Sequence, residues 1–451
     1  MRGLSKRIVL DLSQRKGDPA WMREMRLRGM RWYDRLKMPA WTPDLAALNV
    51  ANIQTYVEPN AAMVNNWTEV PMEIRQTFEK LGIPEAEREG LAGVGAQYDS
   101  ELVYHNIKQQ VEQQGVVYLP MEEAVTSRQT IKIAGKNKQI RSVVKKHFMK
   151  LVPPNDHKFA ALHAAVWSGG SFVFVPRGVT VEIPLQSYFR FNAAGAGQFE
   201  HTLIIVDEEA NLHFIEGCSA PRYNVANLHA GCVELYVGKN ARLKYSTVES
   251  WSKNMYNLNT KRAIVAEGGQ IEWVTGSFGS HVSMLYPMSI LAERGARAEY
   301  TGVTFAGAGQ TLDTGLKIVH AAPETYSMID ARSLAKDGGR CIYRSMVKVL
   351  PDASGAKSFA DCKSLMLDNQ SRSDTIPTVI VQTPLADVGH EAKVGKISDD
   401  EIFYLMSRGL TEIQARAMLV RGFTDDVSKE LPVEYAMEMN NLIKMEMEGN
   451  T

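Results

Sequence analysis

A recurring pattern in the middle of the chain limits the folds that are open to it. A small residue is followed four positions later by an aromatic one, and successive matches start 31, 28, 27, 26, 17 and 16 residues apart. Evenly spaced short strands behind tight turns are typical of stacked repeats, in which each coil buries its apolar side against its neighbours. We therefore predict a β-solenoid, with an antiparallel sandwich as the alternative. The matches are Ala210 to Phe214, Ala241 to Tyr245, Gly269 to Trp273, Ala296 to Tyr300, Ala322 to Tyr326, Gly339 to Tyr343 and Gly355 to Phe359.

Helices are predicted before the repeating zone. Asp18 is expected to cap a helix that has Pro19 in its first turn. A further helix is expected from Leu102 to Gln114, with Gly115 as its end. The first zone should therefore be mainly helical.

Helices are also predicted after the repeats. Ser398 to Glu401 and Thr411 to Gln414 both have the residues of a capping box. Gly409 and Gly422 stand where helices should end. The predicted division is a mainly helical domain over 1–120, a solenoid core over 121–392 with regular coils at about 159–367, and a helical domain over 393–451.

The charge balance limits the class of partner. The chain has 451 residues with 51 Lys and Arg against 51 Asp and Glu. Eleven bases and four acids give +7 over residues 1–41, while five bases and eleven acids give −6 over 399–451. A near-neutral total without a nucleic-acid-binding motif favours solvated faces or an acidic protein partner over nucleic acid. We expect no nucleic-acid partner.

Compartment and membrane contact follow from apolar runs and cysteines. No run approaches the ~18 apolar residues of a spanning helix, so no membrane partner is expected. The first residues lack a small-residue cleavage pattern, and four cysteines in so long a chain are typical of reduced thiols. The expected location is the cytoplasm.

Several catalytic motifs are missing. The sequence has no G-x-x-x-x-G-K-[ST] loop to surround a phosphate, and no G-x-S-x-G, H-E-x-x-H or C-x-x-C. We therefore expect a non-catalytic protein, for which a partner would supply any nucleotide energy.

Two cysteines stand out from their surroundings. Cys218 lies between a glycine and a turn, where nearby cations such as Arg190 or Lys261 could lower its pKa and favour a thiolate. Cys362 ends the repeats, 28 residues before His390, and thiolate, imidazole and carboxylate are all competent iron ligands. On composition alone, a buried strand thiol remains the commoner role for each. Cys232 and Cys341 have no distinguishing context and are assigned to packing.

Ordered motifs along the whole chain resemble the SufB/SufD family, and among its members the scaffold subunit of the SUF iron–sulfur cluster assembly system. The motifs are Pro19-Ala-Trp21-Met22, Arg26-Leu27, Ser168-Gly-Gly-Ser171-Phe172, Val175-Pro-Arg-Gly178-Val179, Tyr188-Phe-Arg190-Phe-Asn192, Glu216-Gly-Cys218-Ser-Ala-Pro221, Ser246-Thr-Val-Glu-Ser-Trp251, Asn259-Thr-Lys261-Arg262, Cys362, His390-Glu-Ala392, Arg408-Gly409 and Gly422-Phe423.

The resemblance implies a right-handed parallel β-helix between two helical domains, and a scaffold that receives persulfide sulfur and iron and passes the cluster to apoproteins. Cys218 would accept sulfur, and Cys362, His390 and Glu391 would hold the nascent cluster, expected as [4Fe–4S]. The residues implied along the sulfur route are Arg190, Asn192, Glu249, Trp251 and Lys261.

The implied partners are a SufC-type ABC ATPase at the C-terminal helices, a cysteine desulfurase or sulfur carrier, and either a SufD-type paralogue or a second copy of the chain. The cluster type in the cell, any flavin, the donor and the clients stay open. Two departures stand out: Glu249 replaces an expected glutamine, and the N-terminal cysteine motif of some relatives is missing.

Two other functions compete with this one. A solenoid enzyme acting on polysaccharide would need two carboxylates on one face, and Glu272, Glu299 and Asp330 are candidates. A purely structural interaction module would need none of these residues.

Overall fold

The computed structural model describes residues 1–59, 61–72, 74–76, 91–133, 135–221, 223–431 and 433–448. Its strands form a ten-stranded sheet, a thirteen-stranded sheet and a small hairpin. Together the two large sheets build a β-solenoid of about eight turns with helices at both ends of the chain. The predicted solenoid is therefore confirmed, and the antiparallel sandwich is wrong because successive coils pair in parallel.

The ten-stranded sheet contains β1 (Gly93–Tyr98), β2 (Glu101–Ile107), β7 (Leu185–Arg190), β10 (Asn211–Ser219), β13 (Arg242–Ser250), β16 (Gln270–Phe278), β19 (Arg297–Ala306), β21 (Tyr326–Ala335), β23 (Lys357–Met366) and β25 (Asp387–Lys396). The thirteen-stranded sheet contains β3 (Val117–Pro120), β6 (Ser171–Val175), β8 (Gly197–Gln198), β9 (His201–Val206), β11 (Asn227–His229), β12 (Cys232–Val237), β14 (Met255–Asn257), β15 (Thr260–Val265), β17 (Val282–Leu285), β18 (Met288–Leu291), β20 (Thr311–His320), β22 (Arg340–Val349) and β24 (Arg372–Val381). The hairpin is β4 (Thr130–Ile133) with β5 (Lys136–Gln139).

The described helices are α1 (Lys6–Arg15), α2 (Ala20–Arg35), α3 (Gln109–Gln113), α4 (Met121–Thr126), α5 (Ile140–His147), α6 (Lys158–Val166), α7 (Asp399–Ser407), α8 (Glu412–Lys429) and α9 (Val433–Glu448). Among these residues, no helix combines the length and the apolar character that crossing a membrane requires.

An aromatic ladder fills the solenoid interior. Phe214, Tyr245, Trp273 and Tyr300 are register partners on four successive strands. The ring centroids of the first pair are 5.6 Å apart and those of the second pair 5.5 Å apart. Such contacts add about 0.5–1.5 kcal/mol per pair beyond burial. The first four matches of the repeat thus report true coils.

The last three matches have other positions. Tyr326 begins β21 and is exposed, Phe359 is exposed on β23, and Tyr343 belongs to the opposite sheet. Their spacings of 17 and 16 residues lead from one sheet to the other within a coil rather than from coil to coil. The coils themselves continue past residue 367, through β24 and β25.

The start of α2 differs from the prediction. Its N-cap is Pro19, without a side-chain cap. Asp18 instead accepts a hydrogen bond from Nε of the fully buried Arg26, at 2.6 Å. A buried guanidinium needs a charged partner more than a helix end does, because water can satisfy the helix end.

The helix predicted from Leu102 to Gln114 is wrong over most of its length. Residues Glu101–Ile107 form β2, which pairs antiparallel with β1 at the start of the ten-stranded sheet. Pairing with an open sheet edge overrides local helix preference. Only α3, just before Gly115, is helical.

Three helices close the other end of the chain. Thr411 and Gln414 form the predicted capping box of α8, and Ser398 caps α7. Gly409 follows α7 with φ +95°, a left-handed conformation suited to a helix end. The end predicted at Gly422 is wrong, because that residue lies inside α8. These helices cover apolar residues on the outer face of the ten-stranded sheet.

Candidate functional site

Cys218 lies inside the solenoid near its N-terminal end. It is 1% exposed, and its register partners are Phe189 on β7 and Glu249 on β13. Because side chains alternate along a strand, Glu216 and Cys218 share one face of β10. A carboxylate and a thiol therefore meet in the solenoid interior.

Lys261 provides the cation that the sequence places beside Cys218. Its Nζ donates hydrogen bonds to Glu216 Oε1 at 2.7 Å and Thr247 Oγ1 at 2.9 Å, and lies 3.7 Å from Glu249 Oε1. Burial lowers the pKa of Lys261, but Glu216 and Glu249 outweigh burial and hold that pKa above its ordinary value. Lys261 is therefore a permanent ammonium between two carboxylates.

The Cys218 thiol is neutral in this setting. Burial raises its pKa well above the ordinary range, Glu216 and Glu249 add to the rise, and Lys261 opposes it. The sequence predicts the opposite direction, because it does not show that two carboxylates accompany the lysine. Ligand atoms of Glu216, Cys218 and Glu249 lie within 4.8 Å of one another.

A second charged chain continues from Glu249. Asn257 Nδ2 donates to Glu249 Oε2 at 2.6 Å, which leaves Asn257 Oδ1 to accept from His229 Nδ1 at 2.8 Å. His229 Nε2 contacts Glu200 Oε1 at 2.5 Å. Both ring nitrogens face acceptors, and the pKa of His229 is raised because Glu200 outweighs the effect of burial. Among the described residues of the interior, His229 and Lys261 thus lie beside three buried carboxylates, those of Glu200, Glu216 and Glu249.

Arg190, Asn192 and Trp251 lie at the end of the strands that flank Cys218. Arg190 Nη1 donates a hydrogen bond to Ser219 Oγ at 2.9 Å, and the backbone N–H of Asn192 donates one to Asp99 Oδ1 at 2.6 Å. Trp251 packs in one apolar cluster with Cys218. The structure therefore buries Glu249, Trp251 and Lys261 around Cys218. Asn192 is exposed, and Arg190 lies on the other face of β7, beside Ser219 rather than Cys218. Three of the five predicted sulfur-route residues thus reach the interior.

A small cavity lies beside Glu249 and Lys261 in the solenoid interior. Its volume is about 30 Å³. This volume can hold one or two species the size of a water molecule, because one water molecule needs roughly 10–15 Å³ of cavity volume. The Thr275 hydroxyl donates to the Tyr300 hydroxyl at 3.0 Å on the far side. The residues that line the cavity include Thr247, Glu249, Lys261, Thr275, Tyr300 and Thr304.

Cys362 and His390 come together at the opposite end. They lie on the adjacent strands β23 and β25, and Cys362 Sγ is 3.6 Å from His390 Nε2. Cys362 is 2% exposed, and burial raises its pKa to about 12, with a smaller contribution from Asp361. The Tyr343 hydroxyl partly opposes this rise in pKa. A thiol and an imidazole thus face one point in the last two coils.

Glu391 has a different position. It follows His390 in β25, so its side chain lies on the other face of the strand. There its carboxylate pairs with Lys393 Nζ at 2.9 Å and is about half exposed. The structure therefore brings together two of the three predicted cluster ligands.

Two of the three carboxylates of the rival enzyme hypothesis are ion-paired. Glu272 pairs with Arg242, and Asp330 Oδ1 lies 2.8 Å from Arg332 Nε. Burial raises the pKa of Glu299, and its register partner Glu272 adds to the rise.

Comparison with known proteins identifies the class. Residues 189–423 match the family described as SUF system FeS cluster assembly, SufBD core domain. The chain is 47% identical over 449 residues to the iron–sulfur cluster assembly protein SufB of Bacillus subtilis (strain 168), covering 100% of this chain and 94% of that one. It is 46% identical, with the same coverage, to iron–sulfur cluster assembly SufBD family proteins of Staphylococcus aureus strains MRSA252 and USA300. The chain belongs to the SufB/SufD family of iron–sulfur cluster assembly proteins.

Proposed function

We propose that this protein is a scaffold on which sulfide and iron are joined into a cluster before transfer to apoproteins. The observation that carries the proposal is the placement of Cys218 and Cys362 on the inward face of one sheet, near opposite ends of the solenoid interior. The protein itself is non-catalytic in this proposal, and a SufC-type ATPase supplies energy. All four cysteines are free thiols, which fits work in a reducing cytoplasm.

Sulfur enters at Cys218. Its Sγ forms a bond to the terminal sulfur of a donor persulfide on a cysteine desulfurase or carrier, and the donor thiolate leaves. The Cys218 proton passes to a neighbouring carboxylate, Glu216 or Glu249, and reaches the departing thiolate in turn. Lys261 stabilises the anionic sulfur during the exchange, because its ammonium lies in the same buried cluster.

The sulfur then moves through the solenoid to Cys362 and His390. It arrives at the oxidation level of a persulfide, so an external two-electron donor, such as a reduced flavin or a dithiol, must convert it to sulfide before it joins iron. The family resemblance implies Glu391 as the third ligand, and its carboxylate would have to leave Lys393 to reach the site. Mixed sulfur, nitrogen and oxygen ligation holds a cluster less firmly than four thiolates, which suits transfer. The cluster, expected as [4Fe–4S], is cargo.

A second subunit completes the site. The strands β24 and β25 are the last of their sheets and expose apolar side chains, including Ile376, Val379, Val381 and Val394. An exposed strand edge of this kind readily pairs with another chain. The partner is a SufD-type paralogue or a second copy of this chain.

The ATPase docks on the C-terminal helices. Phe403, Tyr404 and Ile413 are 73%, 56% and 69% exposed there. Large exposed apolar side chains close together mark protein interaction sites.

Reconstitution with ferrous iron and sulfide tests the cluster site. The wild-type protein, with its partners, should develop the visible absorption of a cluster of about four irons, and Cys362→Ser should lose it. Cys341→Ser is the matched control, since Cys341 is also fully buried in the solenoid but donates only to the Leu334 carbonyl. Equal iron uptake by the two variants would contradict the proposed ligand.

A further inference from the structure

The outer face of the thirteen-stranded sheet carries a second group of side chains of the types that ligate metals, on the face opposite the interior that holds Cys218. His201 on β9 and Cys232 on β12 are register partners, and His163 comes from α6, which covers them. One ligand atom from each lies within 4.8 Å of the other two, and all three residues are at most 1% exposed.

Each histidine is oriented by a partner on its far ring nitrogen. His163 Nδ1 lies 2.9 Å from the Ala230 carbonyl oxygen, which can only accept, so Nδ1 carries the proton. His201 Nε2 lies 3.2 Å from Glu234 Oε2 without forming a hydrogen bond to it, so this contact places a carboxylate behind the ring but does not fix the tautomer of His201. Metal-ligating histidines are commonly held in this way, by a backbone carbonyl or a carboxylate behind the ring.

The two near nitrogens face each other, and His163 Nε2 offers a lone pair because the proton of that ring is on Nδ1. His163 Nε2 and His201 Nδ1 are 3.0 Å apart. Without a metal ion one proton lies between them; with the proton of His201 on Nε2 instead, both near nitrogens offer lone pairs to a metal ion. Two nitrogens on a tetrahedral zinc ion lie about 3.3 Å apart, given bonds of about 2.0–2.1 Å. Only a small adjustment separates this geometry from a metal-bound one.

Glu234 is itself held as an anion. Its two oxygens accept backbone hydrogen bonds from four successive residues, Met149, Lys150, Leu151 and Val152. With a Cys232 thiolate and a divalent ion, the buried group has no net charge. Phe148 stacks on His201 with centroids 3.8 Å apart.

We propose that His163, His201 and Cys232 bind one thiophilic divalent metal ion, such as zinc, as a structural site separate from the cluster cargo. Two imidazoles and a thiolate suit zinc or ferrous iron rather than calcium or magnesium. The ion would tie α6 to two neighbouring coils. The proposal does not depend on the scaffold function.

The test uses the full chain with Cys218→Ser and Cys362→Ser as the background, so that zinc cannot bind the proposed sulfur and cluster thiols. Because the site is buried, the protein is unfolded and refolded with zinc, and unbound metal is then removed by gel filtration. We expect about one tightly held zinc ion per chain by elemental analysis. Adding Cys232→Ser should lower this at least tenfold, while adding Cys341→Ser should leave it unchanged.

A measurement on the unchanged metal site covers the case in which Cys232→Ser does not fold. The background protein refolded with cobalt(II) should show thiolate-to-cobalt charge-transfer absorption, and its thermal midpoint should be higher than that of the metal-free form. If the folded protein showed neither bound zinc nor the thiolate-to-cobalt absorption, the proposal would be overturned. His163 and His201 would then be a metal-free pair with one proton between the two rings. Retention of zinc by the Cys232→Ser protein would overturn the proposal as well. Neither result bears on the separate proposal that a cluster is assembled on Cys362.

Discussion

Replacing Lys261 with methionine removes the only cation in contact with Glu216 in the interior cluster described above. The two side chains have similar length, so packing is largely kept while Glu216 and Glu249 lose their counter-charge. Both carboxylates are almost completely buried, at 0% and 3% side-chain exposure. Breaking a buried ion pair by removing one partner costs about 3–5 kcal/mol, because the remaining charge is left uncompensated. We expect Lys261→Met to lower the free energy of unfolding by that amount at pH 8.

The double variant Glu216→Gln with Lys261→Met is the matched control. It removes one charge of each sign, and we expect it to recover most of the stability lost by Lys261→Met. Urea unfolding followed in parallel by tryptophan fluorescence and circular dichroism measures the difference, and coincident curves justify a two-state treatment. A loss below about 1 kcal/mol, or no recovery in the double variant, would refute the electrostatic account of this cluster.

Two further predictions concern the coils themselves. Gly315→Ala should lower the free energy of unfolding by about 1–3 kcal/mol in a denaturation experiment, because an added Cβ would lie 1.8 Å from the Arg344 carbonyl oxygen. Gly395→Ala is the control and should cost much less, because an added Cβ there has nothing within 4 Å. Equal losses in the two variants would contradict this prediction. Burial lowers the pKa of His320 to about 4, so the unfolded chain binds its proton first and stability should fall as the pH drops from about 6.5 to 4, by up to about 3 kcal/mol. His320→Gln should flatten this part of the stability curve measured by urea titration, and an unchanged slope would show that other groups cause the acid loss.

The sequence has no net charge, yet the interior of the solenoid contains several buried charged side chains. Glu216, Glu249 and Glu200 would each be unfavourable alone, and each is matched by a hydrogen bond to Lys261, Asn257 or His229. Such a network makes the chamber around Cys218 polar and rigid, and stability is sensitive to the loss of any one member.

Local patterns in the sequence determined the class of fold and the inward faces of the strands. The alternation of side chains along β10 places Glu216 beside Cys218 whatever else the chain does, and this period-two signal could have identified Glu216 as a site residue. The capping box at Thr411 was equally predictable, since it involves only residues within one helical turn. The family motifs added the roles proposed for Cys218 and Cys362.

Tertiary structure alone decided which distant side chains meet. Lys261 reaches Glu216 across 45 positions because β15 and β10 face each other across the same interior, and no local pattern encodes that distance. The helix predicted at Leu102 became a strand because an open sheet edge offered it hydrogen bonds. Cys232, assigned to packing from its sequence context, meets two histidines only because coil register and α6 bring them together. Local residue types fix the conformation of short segments, whereas contacts across coils depend on register, which is set by the packing of the whole solenoid.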